Sequence, residues 1–249
     1  MKVFAKYNLI LKILPKKDSI SKKHYIQSLM CLTNQFYDQI DIQESKNKLL
    51  VNYYNVHKRK LYFDNCLINK TIRFCEKLFK RKFYLNIKVI KGIPIAAGLG
   101  GGSADASAII LWILNKYRLK LLPNDLLAIA REVGSDVPFF LSKYSCAQVS
   151  GIGNVVAKVN MSFAHNILLT NKKILTKNVY KRLNQNKAYR SKVSYPSLLT
   201  LAKANKIDSK AIYNDLQPYV LKVCPALQTI LKNNYPAIVC GSGSSIIKL

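Results

Sequence analysis

Val3, Ala5, Tyr7, Leu9, Leu11 and Ile13 share one parity along the chain, while Lys6 and Asn8 fall on the other. A period of two predicts a β-strand from the first residues onward. Residues 15–24, PKKDSISKKH, carry charge and turn formers and predict a loop. Residues 25–54 predict short strands and their connections. From 65 to 81 the apolar positions Leu67, Ile68, Ile72, Cys75, Leu78 and Phe79 follow helical spacing. YLNIKVIKGIP, from Tyr84, alternates again and predicts a strand feeding a glycine-rich stretch. Ala106, Ile110, Ile113 and Leu114 then give a helix over 104–114, with Ser103 as its N-cap. Pro123-Asn124-Asp125 opens another helix that Gly134 closes.

After about residue 155 the pattern changes. HNILLTNKKILTKNVYKRL predicts a strand, a polar loop and the start of a helix. SYPSLLTLAKANK and NDLQPYVLKVCPALQTILKNN are helical, and AIVCGSGSSIIKL is a strand, a Gly/Ser turn and a strand. This change divides the chain into 1–158 and 159–249.

Hydrophobic residues make up 49% of the 249, enough for a full core. No apolar run approaches the ~20 residues that span a bilayer. The N-terminus resembles a signal peptide, but Lys6, Asn8 and Lys12 interrupt it and no small-residue cleavage site follows. The expectation is a cytoplasmic protein with no membrane contact. Cys31, Cys66, Cys75, Cys146, Cys224 and Cys240 show no CxxC and no zinc spacing, so reduced, mostly buried thiols are expected. The net charge of +28 raises nucleic-acid binding as a reading. The lysines are spread along the chain, however, and dense only at HKRK and KRK. No nucleic-acid partner is expected, and the positive field suits a phosphorylated small molecule.

The candidate chemistry lies in PIAAGLGGGSADASA, from Pro94 to Ala108, where Gly98, Gly100, Gly101 and Gly102 crowd together. Glycine reaches positive φ and lets the backbone approach a ligand closely. A glycine turn running into a helix N-terminus forms an anion site. The loop has no Walker A lysine, and Ser103 stands where GxGxxG needs its last glycine. Asp105, early in the helix, favours the dipole; this capping role is preferred to contact with a phosphate through a cation.

FAKYNLIL, IPIAAGLGGGSADASA, GSDVPFF and VCGSGSS occur in this order along the chain. The set resembles the GHMP kinase superfamily, whose phosphate loop reads P-x-x-x-G-L-G-S/G-S/G-S. AKYN, GSDVPFF and the DNCLI segment at 64–68 are similar to the branch that acts on a cytidyl diphosphate alcohol in the non-mevalonate isoprenoid route. The resemblance implies an α+β, two-domain GHMP kinase fold: a ribosomal protein S5 domain 2-like ATP domain, then a ferredoxin-like α/β domain, with the active site between them. It also implies phosphorylation of a 2-hydroxyl at the expense of ATP.

The same resemblance assigns residues. Lys6 and Asp136 take the catalytic positions, the lysine stabilising phosphoryl charge and the aspartate accepting the hydroxyl proton. Pro94, Ile95, Ala96 and Ala97 lead into the ATP loop; Gly98, Leu99, Gly100, Gly101 and Gly102 form it; Ser103 and Ala104 start its helix. Asn65 and Lys91 match adenine-side positions. Asn8, His24, Tyr25, Thr176 and Tyr180 are the substrate-side candidates. The family's tyrosine before the histidine is Lys23 here, so either Tyr25 substitutes in a shifted register or the cytosine loses that aromatic neighbour. Gly241–Ser245 would pack as a turn on the phosphate loop. Mg2+ is expected with ATP and held mainly by phosphates and water; its protein ligands are not identified, though the Ser103 hydroxyl is a candidate contact. A kinase for homoserine, mevalonate or a sugar is the nearest alternative, and a basic nucleic-acid-binding protein a more distant one.

Overall fold

The computed structural model describes residues 1–63, 66–161, 165–185 and 212–248. The larger sheet has eight strands. β1 (Lys2–Lys17) pairs antiparallel with β2 (His24–Glu44). Along its other edge β2 meets two strands in succession. Residues 26–31 pair with β6 (Cys146–Gly151), and residues 39–44 pair with β5 (Leu85–Lys91). β3 (Leu50–Asn55) lies parallel to β5 and carries β4 (Lys60–Leu61), while β7 (Val155–Lys158) pairs with β6.

The expected short strands of 25–54 are instead one strand of 21 residues followed by β3. Phe4 pairs with Tyr37 and Ala5 with Thr33, so Asn34–Phe36 are taken up as an irregularity in the ladder. Polar Thr33-Asn34-Gln35 resembles a turn in sequence, but a bulge bends a strand without ending it. Both faces of β1 are covered over residues 5–11, so Lys6 and Asn8 are as buried as their apolar neighbours.

Helices α1 (Leu67–Phe79), α2 (Gly101–Lys116), α3 (Pro123–Glu132) and α4 (Val137–Leu141) belong to the first part of the chain. Ile68, Ile72 and Cys75 of α1 pack with Ile109, Ile110 and Ile113 of α2 against Ile87 and Val89 of β5. The second part holds β8 (Asn166–Leu168), α5 (Thr176–Gln185), β9 (Tyr213–Asn214), α6 (Gln217–Val223), α7 (Leu227–Asn233), β10 (Ala237–Val239) and β11 (Ile246–Lys248). β10, β11 and β8 form a small antiparallel sheet, while β9 joins β1 in the larger one. The helical stretch 217–233 divides at Cys224-Pro225, where proline cannot supply a helical N–H. The predicted helix of SYPSLLTLAKANK lies outside the described residues.

Cys31 and Cys146 stand directly opposite each other on β2 and β6 and form a disulfide. This corrects the expectation of reduced thiols for that pair; Cys66, Cys75, Cys224 and Cys240 are free. Among the described residues no helix is long and apolar enough to cross a membrane.

The connection between β1 and β2 is fastened to the end of α3. Arg131 donates from Nη2 to Asp18 Oδ1 at 2.6 Å, and the Ser21 amide donates to Asp18 Oδ2 at 2.7 Å. Lys23 Nζ donates to the Ala130 carbonyl, one of the last in the helix. The Arg131 hydrogen bond, ahead of the Ser21 amide, holds the Asp18 carboxyl well below the usual carboxylate range. A lowered value stabilises the fold above the unfolded carboxylate range and ceases to do so as pH falls through it. Asp18→Asn should therefore lower Tm most at neutral pH. The difference from wild type should shrink below about pH 4 in stepped-pH thermal melts.

Candidate active site

β5 delivers the chain into the glycine loop, and the loop turns into α2. Gly98 and Gly100 have φ of +78° and +73°. At Gly98 a Cβ would lie 2.1 Å from the Cys240 carbonyl oxygen, so no side chain fits. Ser103 was expected as the N-cap, but Gly100 takes that position in the left-handed region and the helix begins at Gly101. The first intrahelical bond runs from the Ala104 amide to the Gly100 carbonyl at 2.9 Å. The helix therefore leaves the N–H groups of Gly101, Gly102 and Ser103 available, in a helix N-terminus that favours an anion.

β1 supplies the next groups. The Lys6 amide donates to the Leu99 carbonyl at 3.0 Å, tying the strand to the loop. Lys6 and Asn8, two apart, project to one face, and Lys6 Nζ donates to Asn8 Oδ1 at 2.7 Å. Lys6 Nζ also lies 3.3 Å from Asp136 Oδ2. Asp136 is the N-cap residue of α4, but its carboxylate makes no capping hydrogen bond and faces the lysine instead. Asn8 Nδ2 donates to Ser28 Oγ at 2.8 Å, and Ser28 Oγ donates to the Ile10 carbonyl at 2.7 Å. This order fixes the Asn8 amide with its oxygen toward Lys6.

Lys6 and Asp136 line one cavity of about 710 Å3. Pro94 through Ser103, Lys91, Asn8, His24, Thr176 and Tyr180 line it as well. Ala104 does not; it is buried inside α2. Nor does Tyr25: neighbours on a strand point to opposite faces, and Lys16 Nζ sits 5.3 Å over its ring. Lys23 lines the cavity in its place. His24 stacks on Tyr180 with ring centroids 5.9 Å apart and meets Asn184 Oδ1 at 2.9 Å through Nε2. Burial pushes the Tyr180 phenol up. Asn65 lies outside the described residues.

The turn at Gly241–Ser245 packs on the loop as expected. Gly241 and Ser242 line the cavity, the Ser245 amide donates to the Ala97 carbonyl at 3.2 Å, and Thr176 and Ser242 share a hydroxyl hydrogen bond of 2.8 Å.

Asp105 does not cap α2. Its Oδ2 accepts from Lys91 Nζ at 2.7 Å, and the same ammonium donates to Asp38 Oδ2. Asp38 Oδ1 accepts the amides of Gly92 at 2.7 Å and Ile93 at 2.8 Å. Burial raises the Asp105 carboxyl to about 8, against the lowering effect of Lys91. Asp38, Ser28 and Asn184 escaped the sequence reading because their partners are distant in the chain; Asp38 and Lys91 are 53 residues apart.

Comparison with known proteins fits this arrangement. The family profile of the GHMP kinases N terminal domain matches residues 67–144. A 4-diphosphocytidyl-2-C-methyl-D-erythritol kinase of Ureaplasma parvum serovar 3 is 31% identical over all of this chain and 94% of its own length. The chain belongs to that family of GHMP kinases. A protein of the same name from Campylobacter jejuni (strain 81116) is 29% identical, over all of this chain and 99% of its own.

Solved structures place the fold within the same group. One titled 4-(cytidine 5'-diphospho)-2C-methyl-D-erythritol kinase superposes with a TM-score of 0.72 at 20% identity, covering 100% of this chain and 90% of its own. A homoserine kinase from Cytophaga hutchinsonii gives 0.66 at 15%, covering 99% and 84%. As a GHMP kinase the chain is an ATP-dependent phosphotransferase with a mixed α/β fold, as its motifs implied.

The loop geometry separates two glycine substitutions. A Cβ on Gly100 would lie 3.0 Å from Lys6 Cγ and 3.2 Å from Phe140 Cε2, contacts with side chains alone. Gly100→Ala should keep the fold but displace Lys6, so steady-state kinetics should show a lower kcat as well as a higher KM for ATP. Both positions have positive φ, which costs either Ala about 1–3 kcal/mol; Gly98→Ala also runs into backbone and should lose more stability than Gly100→Ala in urea titrations.

Proposed function

We propose that this chain transfers the γ-phosphoryl group of ATP to the 2-hydroxyl of 4-diphosphocytidyl-2-C-methyl-D-erythritol, releasing ADP, in the non-mevalonate route to isoprenoid precursors. The observation that carries the reading is the Lys6–Asp136 pair, 3.3 Å apart, in the same cavity as the amides of the glycine loop. The relatives' names supply the alcohol.

In this reading the N–H groups of Gly101, Gly102 and Ser103 hold the phosphates without a loop lysine. Asp136 Oδ2 receives the proton of the attacking hydroxyl, and Lys6 Nζ offers positive charge to the phosphoryl oxygens as they pass. Asn8, locked by Ser28, holds the lysine in line. Among the described residues no three His, Cys, Asp or Glu side chains form a metal site. In this reading a Mg2+ ion would travel on the phosphates, with the Ser103 hydroxyl as a protein contact, and would neutralise phosphate charge. His24 and Tyr180 offer the cytosine a stacked aromatic pair, with Asn184 at its polar edge and Thr176 nearby. Lys23 replaces an aromatic wall with a cation, and burial lowers its ammonium below the usual lysine value. The division into 1–158 and 159–249 belongs to the same reading, which places the cavity between the two parts.

A coupled ADP-release assay with the cytidyl alcohol, homoserine, mevalonate and a sugar panel tests the substrate. Turnover of the cytidyl alcohol is expected; turnover of another alcohol with none of this one overturns the reading. Asp136→Asn should lower kcat at least ~100-fold with ATP binding near normal. Near-full activity in that variant would remove Asp136 from the chemistry.

A further inference from the structure

Helices α1 and α2 cover one face of β5 and its neighbours, and Tyr53 and Lys91 on that face line the cavity. The reverse face carries the other parity of each strand. Asn52 of β3, Lys88 of β5 and Asp41 of β2 stand in one row across it. Tyr54, Ile90 and Gln39 form the next row, which Lys2 of β1 extends, and Tyr37 pairs with Phe4 beyond it. All of these residues are exposed or half-buried, so among the described residues this face is left open.

Cations and aromatic rings alternate on it. Lys2 Nζ lies 4.3 Å from the centroid of the Tyr37 ring, and Lys88 Nζ 5.3 Å from that of Tyr54. Lys88 stands opposite Asp41 in register, yet its ammonium leans over the ring. Lys60, opposite Tyr54 on β4, lies 5.5 Å over Tyr62, which is 82% exposed. A hollow of about 450 Å3 opens on the same face, with Lys2, Gln39, Asp41 and Lys88 in its wall. The lysines are spread along the sequence, which argued against a nucleic-acid partner, but the sheet gathers Lys2, Lys60 and Lys88 from three strands onto one surface.

We propose that this outer sheet face binds single-stranded RNA, with bases stacked on Tyr37, Tyr54 and Tyr62 and phosphates held by Lys2, Lys60 and Lys88. Flat rings beside mobile cations suit a single strand, whose bases are free to stack. Stacking a base on a ring is worth more than an exposed ammonium above it, so the base displaces the ammonium, which turns to the adjoining phosphate. Asp41 sets RNA apart from DNA: its carboxylate repels a phosphate but accepts a hydrogen bond from a ribose 2′-hydroxyl. An acidic peptide would meet the lysines but bring no planar groups for the rings. A second copy of this chain would set lysine against lysine. The face and the cavity lie on opposite sides of the sheet, so the inference does not depend on the kinase reading.

The test is fluorescence anisotropy with a labelled oligouridylate of about 12 nucleotides, within the site sizes of single-strand binders. In a salt titration, the triple variant Lys2→Ala, Lys60→Ala, Lys88→Ala should flatten the slope of log affinity against log salt by about 2, at about 0.7 per phosphate. Tyr37→Leu and Tyr54→Leu keep apolar bulk and remove the ring, and each should weaken RNA binding at least about fivefold. The deoxy strand of the same sequence should bind at least about threefold more weakly, and Asp41→Ala should narrow that gap. Photo-crosslinking of RNA to the wild-type protein, which needs no folded variant, should label at least one of Tyr37, Tyr54 and Tyr62. Crosslinks confined to other surfaces, or folded tyrosine variants that bind as tightly as wild type, overturn the proposal. So does displacement of the RNA by polyglutamate as readily as by unlabelled RNA, which would leave a surface that reads charge alone. Equal affinity for the deoxy strand overturns the choice of RNA.

Discussion

The site depends on main-chain hydrogen bonding to a loop with almost no side chains of its own. Leu99 is held by the Lys6 amide of β1, Ala97 by the Ser245 amide of the Gly/Ser turn, and Ala96 by the Ile174 amide before α5. Each bond uses a carbonyl of the loop, so its conformation is set from three separate parts of the chain. That leaves the amides at the start of α2 for a ligand. The closeness of these approaches explains the glycines: at Gly98 the neighbouring carbonyl occupies the space a Cβ needs. A preorganised cradle of this kind stabilises charge without reorganising when the charge moves.

The entrance to the loop is fixed by a different force. Asp38, Lys91 and Asp105 form a buried charged group of two carboxyls and one ammonium. Burying such a group is expensive, and removing one partner typically costs about 3–5 kcal/mol because the other charge is left behind. Asp38 also accepts the amides of Gly92 and Ile93, which fixes the direction in which β5 leaves the sheet. The group thus links β2, β5 and α2 at the point where the backbone turns toward the phosphates. Replacing it with apolar side chains could preserve packing, but would lose the carboxylate that holds those two amides.

The local elements were legible because their signals are local. The helical spacing of 67–79 and the strand before the glycines each arise from burial of one face, which period alone reveals; the alternation around Lys6 marks a strand, but its polar face is buried as well. The glycine loop was legible because few other sequences place so much φ freedom directly before a helix. The length of β2 was not, since a bulge over 34–36 and a turn use the same polar residues and only pairing with β1 distinguishes them. The start of α2 was misplaced because Ser103 is a good cap in isolation, whereas the left-handed Gly100 already begins the turn. Lys6, Asn8 and Asp136 could be named from motifs, yet their shared geometry depends on α2, against which both β1 and α4 pack. Asp38 gave no signal, because its role exists only once β2 and β5 are paired.

The charge imbalance also bears on the site. The chain has 40 Lys and Arg against 12 Asp and Glu, so a carboxylate at any position has cations available nearby. Four of the aspartates have one in direct contact: Asp18 with Arg131, Asp38 and Asp105 with Lys91, and Asp136 with Lys6. Asp105 and Asp136 line the cavity, Asp18 lies in the loop whose residues 21–23 border it, and Asp38 sits on β2 beside the lining residue Lys91. The remaining positive charge is spread along the chain and produces a field that draws phosphorylated molecules inward. Such a field attracts any nucleotide equally, because the triphosphate is common to all of them. Selection must then come from short-range contacts with the base and the alcohol, because a distant charge is screened.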